Sequence, residues 1–218
     1  MKFNELLSFP KSIYFNFRYL PIKQAIKLPF AISYKTKINI KGKVVCSCNV
    51  KPFMIRIGFH HVPICNYNDE TRITVGKNGV LNFRGGAHIG SGSKISVSEN
   101  ALLVFGDNFA ISASSAINCY EKIEFGKDIQ FSWNCLVMDS DTHDIIDDNG
   151  NVMNPDKPII FGDKIWIGCN TTILKGSVIP SNCVIGANSL VSGHHFDANS
   201  IIVGNPAKST KHIFGFII

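Results

Sequence analysis

The 218-residue sequence has few charges, no CxxC pair and no apolar run near the length of a membrane span. Asp, Glu, Lys and Arg make up only 17% of it, against 45% hydrophobic residues, a balance that argues against disorder. Its apolar stretches are too short for a spanning helix. The start, MKFNELLSFPKSIYFNF, has neither a continuous apolar core nor a small-residue cleavage site, so no secretory signal is expected. Seven cysteines (Cys46, Cys48, Cys65, Cys119, Cys135, Cys169 and Cys183) are an odd number without zinc-ligand spacing. They read as reduced, partly buried thiols of a cytoplasmic protein, and no metal is expected.

Acid is what the first sixty residues lack. Eleven Lys or Arg stand there against the single acid Glu5, while the remaining eleven basic residues face fifteen acids downstream. Aromatics and prolines are interleaved, as in FPKSIYFNFRYLPIKQAIKLPF. Such a segment is a solvated basic face over one end of the main domain, a contact with an anionic partner, or a peripheral contact with anionic lipid at the inner face of a membrane. No nucleic-acid-binding motif accompanies the charge, so nucleic acid is not an expected partner.

What is abundant is glycine (18) and phenylalanine (16), which favour a turn-rich β protein. From Phe161 the chain divides into sixes: FGDKIW, IGCNTT, ILKGSV, IPSNCV, IGANSL, VSGHHF and, after one irregular block, VGNPAK. The first position reads Phe161, Ile167, Ile173, Ile179, Ile185, Val191, Val203; the fifth reads Ile165, Thr171, Ser177, Cys183, Ser189. A weaker copy lies upstream (VGKNGV, LNFRGG, IGSGSK, FGDNFA, ISASSA, FGKDIQ, FSWNCL) with two-residue slips. Neither a helix nor a simple alternating strand repeats at six. The period predicts a triangular coil with one hexad per face, first positions inward, parallel pairing between coils and Gly, Asn or Asp at corners that need φ > 0. The expected division is a basic extension over 1–60, a β-helix over 61–212 with an insertion at 138–158, and a tail at 213–218.

The run KIWIGCNTTILKGSVIPSNCVIGANSLVSG, followed by VGNPAKSTK, resembles the hexapeptide-repeat acyltransferases. It is most similar to their galactoside and maltose O-acetyltransferase branch and to acetyltransferases of capsule or exopolysaccharide synthesis. The resemblance covers about residues 70–212 and is most specific between 161 and 211. It implies an all-β, left-handed parallel β-helix, a homotrimer, and acetyl-CoA in the groove between neighbouring prisms. It also implies a saccharide acceptor of surface-polysaccharide biosynthesis, free or lipid-linked.

Acyl transfer to a hydroxyl needs a base for its proton and donors for the developing oxyanion. The insertion MDSDTHDIIDDNG, residues 138–150, holds one histidine, His143, and five aspartates. Imidazole titrates near neutral pH, and a loop can reach across a groove. The resembling family carries its catalytic histidine about two dozen residues before the W-I-G block, where His143 stands relative to Trp166. Asp141 or Asp139 is expected to orient the ring; the alternative for each is an Asx-type turn. Matching the family motif places Cys169, Ala187, Ser192 and Gly193 along the CoA groove and Lys208 and Lys211 on its phosphates. Ser112, Asn134 and Trp166 fall on the substrate side, Ser112 near an Asn that the family uses close to acceptor and thioester. Ser192-Gly193 stands where the family commonly has Thr-Lys, and HHFDANS replaces an acidic-proline linker, bringing His194 and His195 near the CoA tail. The first sixty residues do not match the short helical start of the small-sugar enzymes. Other readings are N-acetylation of an amino-sugar nucleotide, a β-helical zinc carbonic anhydrase recruiting His88 and His143, and a scaffold without catalysis.

Overall fold

A computed structural model describes residues 3–59, 62, 63, 65, 66, 69–193 and 195–217. Among them, twenty-two short strands stack into three sheets of nine, seven and six strands. The chain visits the sheets in rotation, and its pairings are parallel apart from the closing hairpin of Ser200–Gly204 with Ala207–His212. Sequence-adjacent strands lie in different sheets, so each strand's hydrogen bonds go to the coil before and the coil after.

Between Ile159 and Val191 the partners are 18 residues apart, as Ile165 with Cys183, Thr172 with Leu190 and Ile160 with Val178. Upstream the step lengthens, to 20 for Ile111 with Phe131 and 22 for Arg72 with Lys94. The extra residues widen the turns, which is why the hexad pattern slips there. First-position residues from Phe161 to Val191 are all buried, and so are the fifth-position residues Ile165, Thr171, Ser177, Cys183 and Ser189. The exception is the last block, where Ile202 and not Val203 takes the inward slot, one residue early after the irregular stretch. Corners hold left-handed residues, eight of them asparagines: Asn78, Asn100, Asn108, Asn134, Asn170, Asn182, Asn188 and Asn199. Asparagine tolerates that conformation best among residues with a side chain.

The interior explains the phenylalanines. Rings of Phe30, Phe83, Phe105, Phe125 and Phe161 form a continuous ladder with centroids 4.5–5.6 Å apart, and Phe109 and Phe131 lean on it. Each buried ring contributes about 1.5–3 kcal/mol relative to exposure. Burial pushes the Cys46 thiol up to about 12 and the Cys135 thiol to about 11, and raises that of Cys119, where the Asp139 carboxylate adds to the effect. These thiols stay protonated fillers of the core.

The boundary expected at residue 61 is earlier. Phe30–Ile32 pairs in parallel with Ile55–Ile57, and Lys37–Ile40 with Arg72–Val75, so the coil begins at Phe30. Partner spacings of 25 and 35 residues hide the period from a search for sixes. Ahead of it lie two helices, α1 (Phe3–Tyr19) and α2 (Ile22–Ala25). Helix α1 covers the open end of the prism: the Phe15 ring sits 4.8 Å from Phe30, extending the ladder by one step. Ser12 Oγ accepts from the Ile32 amide at 2.9 Å, Asn16 Oδ1 from Phe30 at 3.1 Å, and Ser8 Oγ from Tyr34 at 3.0 Å. A step of four helical residues rises about 6 Å and a step of two strand residues about 6.6 Å, so the two stripes stay in register. The edge strand is thereby closed to further pairing.

Candidate active site

The chain leaves the seven-stranded sheet after Leu136–Met138 and rejoins the six-stranded sheet at Ile159–Phe161. Val137 and Ile173 on consecutive coils are 36 residues apart, twice the regular step. The intervening loop projects from the prism corner between those sheets. Its tip is a small hairpin closed by an Ile146–Val152 bridge and by Asp147, whose carboxylate accepts from the amides of Asn149 and Asn151 at 2.9 and 2.8 Å.

His143 lies at the base of that hairpin with an exposed side chain; among the described residues no side-chain hydrogen bond engages its ring. What is fixed is its backbone. Asn154 Nδ2 donates to the His143 carbonyl at 2.9 Å and to Asp141 Oδ2 at 2.8 Å, while Asn154 Oδ1 accepts from the Ile145 amide at 2.6 Å. Lys175 of the next coil reaches back 2.5 Å to Asp141, and its own side chain is only 15% exposed. Lys175, then Asn154, hold the Asp141 carboxyl below the usual carboxylate range. Thr142 has φ +63°, a conformation that a β-branched residue adopts only under constraint, and its amide donates to Ser140 Oγ at 3.0 Å. Asp141, Thr142, Asn154 and Lys175 together aim His143 outward.

The two aspartates therefore differ from the orienting role expected of them. Asp139 is fully buried, and its carboxylate accepts from the Tyr120, Glu121 and Lys122 amides at 2.6, 2.9 and 2.8 Å, closing the turn of the coil below. Asp141 is committed to Lys175 and Asn154. Both set the loop, and neither carboxylate bonds the His143 ring. Sequence reading did not find Asn154 or Lys175, because their contacts bridge 13 and 34 residues from Asp141.

Most of the other expected site residues lie elsewhere on the same chain. Cys169 and Ala187 stack on the corner between the nine- and seven-stranded sheets, the Asn188 amide donating to the Cys169 carbonyl at 3.0 Å. Gly168 makes that stacking possible, since a Cβ there would stand 2.6 Å from the Ala187 nitrogen. Asn134 belongs to this corner too, at φ +55°; that conformation, and not contact with the Ser112 cleft, accounts for an asparagine there. Ser112 and Trp166 share the outer face of the nine-stranded sheet, in a cleft of about 250 Å³ closed on one side by Phe216 of the tail. The Trp166 indole, 45% exposed, donates to Ser132 Oγ at 3.4 Å. Lys208 and Lys211 are exposed on the closing hairpin at the edge of that sheet. Ser192 and Gly193 return to the His143 corner, the Gly193 amide donating to Ser177 Oγ at 3.3 Å. His195 is exposed, and His194 lies outside the described residues. Among the described residues no group of three His, Cys, Asp or Glu gathers as metal ligands would.

Known proteins share this repeat and this architecture. No family model matches the chain. It is 35% identical over 130 residues to the probable acetyltransferase Rv3034c of Mycobacterium tuberculosis, covering 57% of this chain and 42% of that one. It is 27% identical over 143 residues to the putative lipopolysaccharide biosynthesis O-acetyl transferase WbbJ of Escherichia coli, covering 61% and 72%. The match thus spans less than half of the first relative. Among solved structures, the polySia-specific acetyltransferase NeuO superposes with a TM-score of 0.60 at 20% identity, over 87% of this chain and 89% of that one. In fold and in its named relatives, the chain is similar to the hexapeptide-repeat acyltransferases. The coil is a left-handed parallel β-helix, the fold it shares with NeuO. AntD, an N-acyltransferase from Bacillus cereus, superposes with a TM-score of 0.50 at 17% identity, over 85% and 81%; a mutant of it was solved with dTDP-4-amino-4,6-dideoxyglucose and coenzyme A.

Proposed function

We propose that the protein is an acetyl-CoA-dependent O-acetyltransferase acting on a saccharide of surface-polysaccharide biosynthesis, with His143 as general base. The carrying observation is an exposed imidazole on a loop pinned by Asp141, Asn154 and Lys175, within the repeat register of acyltransferases. Rv3034c, WbbJ and NeuO support the class, and WbbJ and NeuO the acceptor type. The acceptor hydroxyl attacks the thioester carbonyl as His143 takes its proton. The tetrahedral intermediate then collapses with loss of the CoA thiolate, which recovers the proton from the imidazolium. Trp166 and Ser112 line the reacting end, Cys169 and Ala187 the pantetheine path, and Lys208 and Lys211 the phosphates.

His143 and Cys169 sit on different prism corners of one chain, so the complete site is read as shared between copies in a homotrimer. The exposed loop residues Ile145, Ile146, Val152 and Met153 support this, since a neighbour's groove would cover them. Incubation with acetyl-CoA and a panel of glycans should release thiol, and His143→Ala should cut the rate about 10²–10⁴-fold without changing CoA affinity. Wild-type turnover by that variant would remove His143 from the mechanism, and absence of CoA binding would remove the transferase reading. The fold shared with AntD favours one second reading, N-acylation of an amino-sugar nucleotide. A product stable to mild alkali would select the amide over the ester.

A further inference from the structure

Helix α1 is polar on the inside and apolar on the outside. Ser8, Ser12 and Asn16 are buried with Phe15, while Leu6, Phe9, Ile13, Tyr14 and Phe17 are 36–61% exposed, and Ile22 and Ile26 beyond them more so. Helices packed on a soluble core show the reverse order. The buried polar stripe is explained by the edge strand it closes; that closure needs nothing apolar on the far side. Cations flank the apolar face: Arg18 within the helix, and Lys23 and Lys27 just after it, are all exposed. Lys11 is already bound to the carbonyls of Tyr34 and Thr36. The one acid of the region, Glu5, is taken by Arg56 at 2.8 Å.

We propose that this face docks on an anionic lipid bilayer. Helix α1 lies in the interface plane with Leu6, Phe9, Ile13, Tyr14 and Phe17 at the headgroup–acyl boundary, and Arg18, Lys23 and Lys27 meet the phosphates. Charge complementarity selects this occupant. A second copy meeting this face about a two-fold axis would set the same cations against each other, whereas an anionic surface neutralises all of them at once. No helix among the described residues is long and apolar enough to cross a membrane, so the contact is peripheral. The inference uses no catalytic residue and stands apart from the transfer chemistry.

The full-length protein is sedimented with vesicles of phosphatidylcholine alone or with roughly 30% phosphatidylglycerol added. Binding is expected with the anionic vesicles and should fall as salt rises. The double substitution Phe9→Asp/Phe17→Asp should weaken it on the order of a hundredfold. Arg18→Glu/Lys23→Glu should weaken it at least about 25-fold, about fivefold per cation removed. All four side chains face solvent, so circular dichroism and the melting temperature should match wild type, and the charge variant tests the face even if the other misfolds. Wild type left in the supernatant, or a folded charge variant that sediments like wild type, overturns the proposal. Loss of self-association in the Phe9/Phe17 variant, with no vesicle binding by wild type, would assign the face to a second copy.

Discussion

The coils from Ile159 to Val191 and the loop from 138 to 158 are consecutive in the chain but are held by different forces. In the coils every inward position is apolar or small, strands repeat at 18 residues, and the order comes from stacking one buried side chain on the next. In the loop almost nothing apolar is buried, and four exposed hydrophobics point outward. Its order comes from polar groups: Asp139 on three backbone amides below, Asp141 on Lys175, Asn154 on the backbone of His143 and Ile145. Stacking gives rigidity that tolerates small adjustments. A polar tether gives placement that one substitution can undo. A side chain held exposed on a projecting loop suits the second kind of support.

This contrast can be broken on either side. The largest effect is expected from Phe125→Ala, which removes the ladder ring that also meets Phe109 and Phe131 and should cost about 3–5 kcal/mol in denaturant unfolding. Asp139→Ala comes next: three backbone amides lose their acceptor, and about 2–3 kcal/mol should disappear, with amide exchange accelerated first at Tyr120, Glu121 and Lys122. Lys175→Met should barely move the melting temperature, because the ion pair is partly exposed and contributes under about 1 kcal/mol. It should instead lower the acetyl-transfer rate several-fold by freeing the loop, with CoA affinity unchanged; equal rates would show that the tether does not position His143. The smallest effect is on pH. The folded Asp141 carboxyl is held below the ordinary range, so the tether is fully present above that range and is lost as pH falls through and below it. Proteolysis at the exposed hairpin tip should therefore quicken in acid, and Asp141→Asn should flatten that dependence.

The hexad from Phe161 onward was legible because each apolar first position has its own glycine, asparagine or serine punctuation, and Phe161 to Val191 all point inward. The coils at Phe30 and Ile55 were not legible, because long connections separate their strands and the helix ahead of them presents phenylalanines both to the core and to solvent. At the site, His143 was visible as the lone histidine of a break in the period, and the acidic residues around it were visible only as a composition. Their division of labour was not: Asp139 and Asp141 are two residues apart, yet one is fully buried under a turn and the other reaches a lysine of the next coil.

By itself, then, the sequence determined the repeat, the inward residues and the place where the pattern opens, because burial at a fixed period is a property of neighbouring residues. The tertiary structure decided which carboxylate closes a turn and which tethers the loop. It also decided that His143 stands on a different corner from Cys169 and Ala187, and that α1 turns its serines inward to meet an edge strand. Each of these depends on which coil lies above or below, and stacking brings together residues that are a full coil or more apart in the chain.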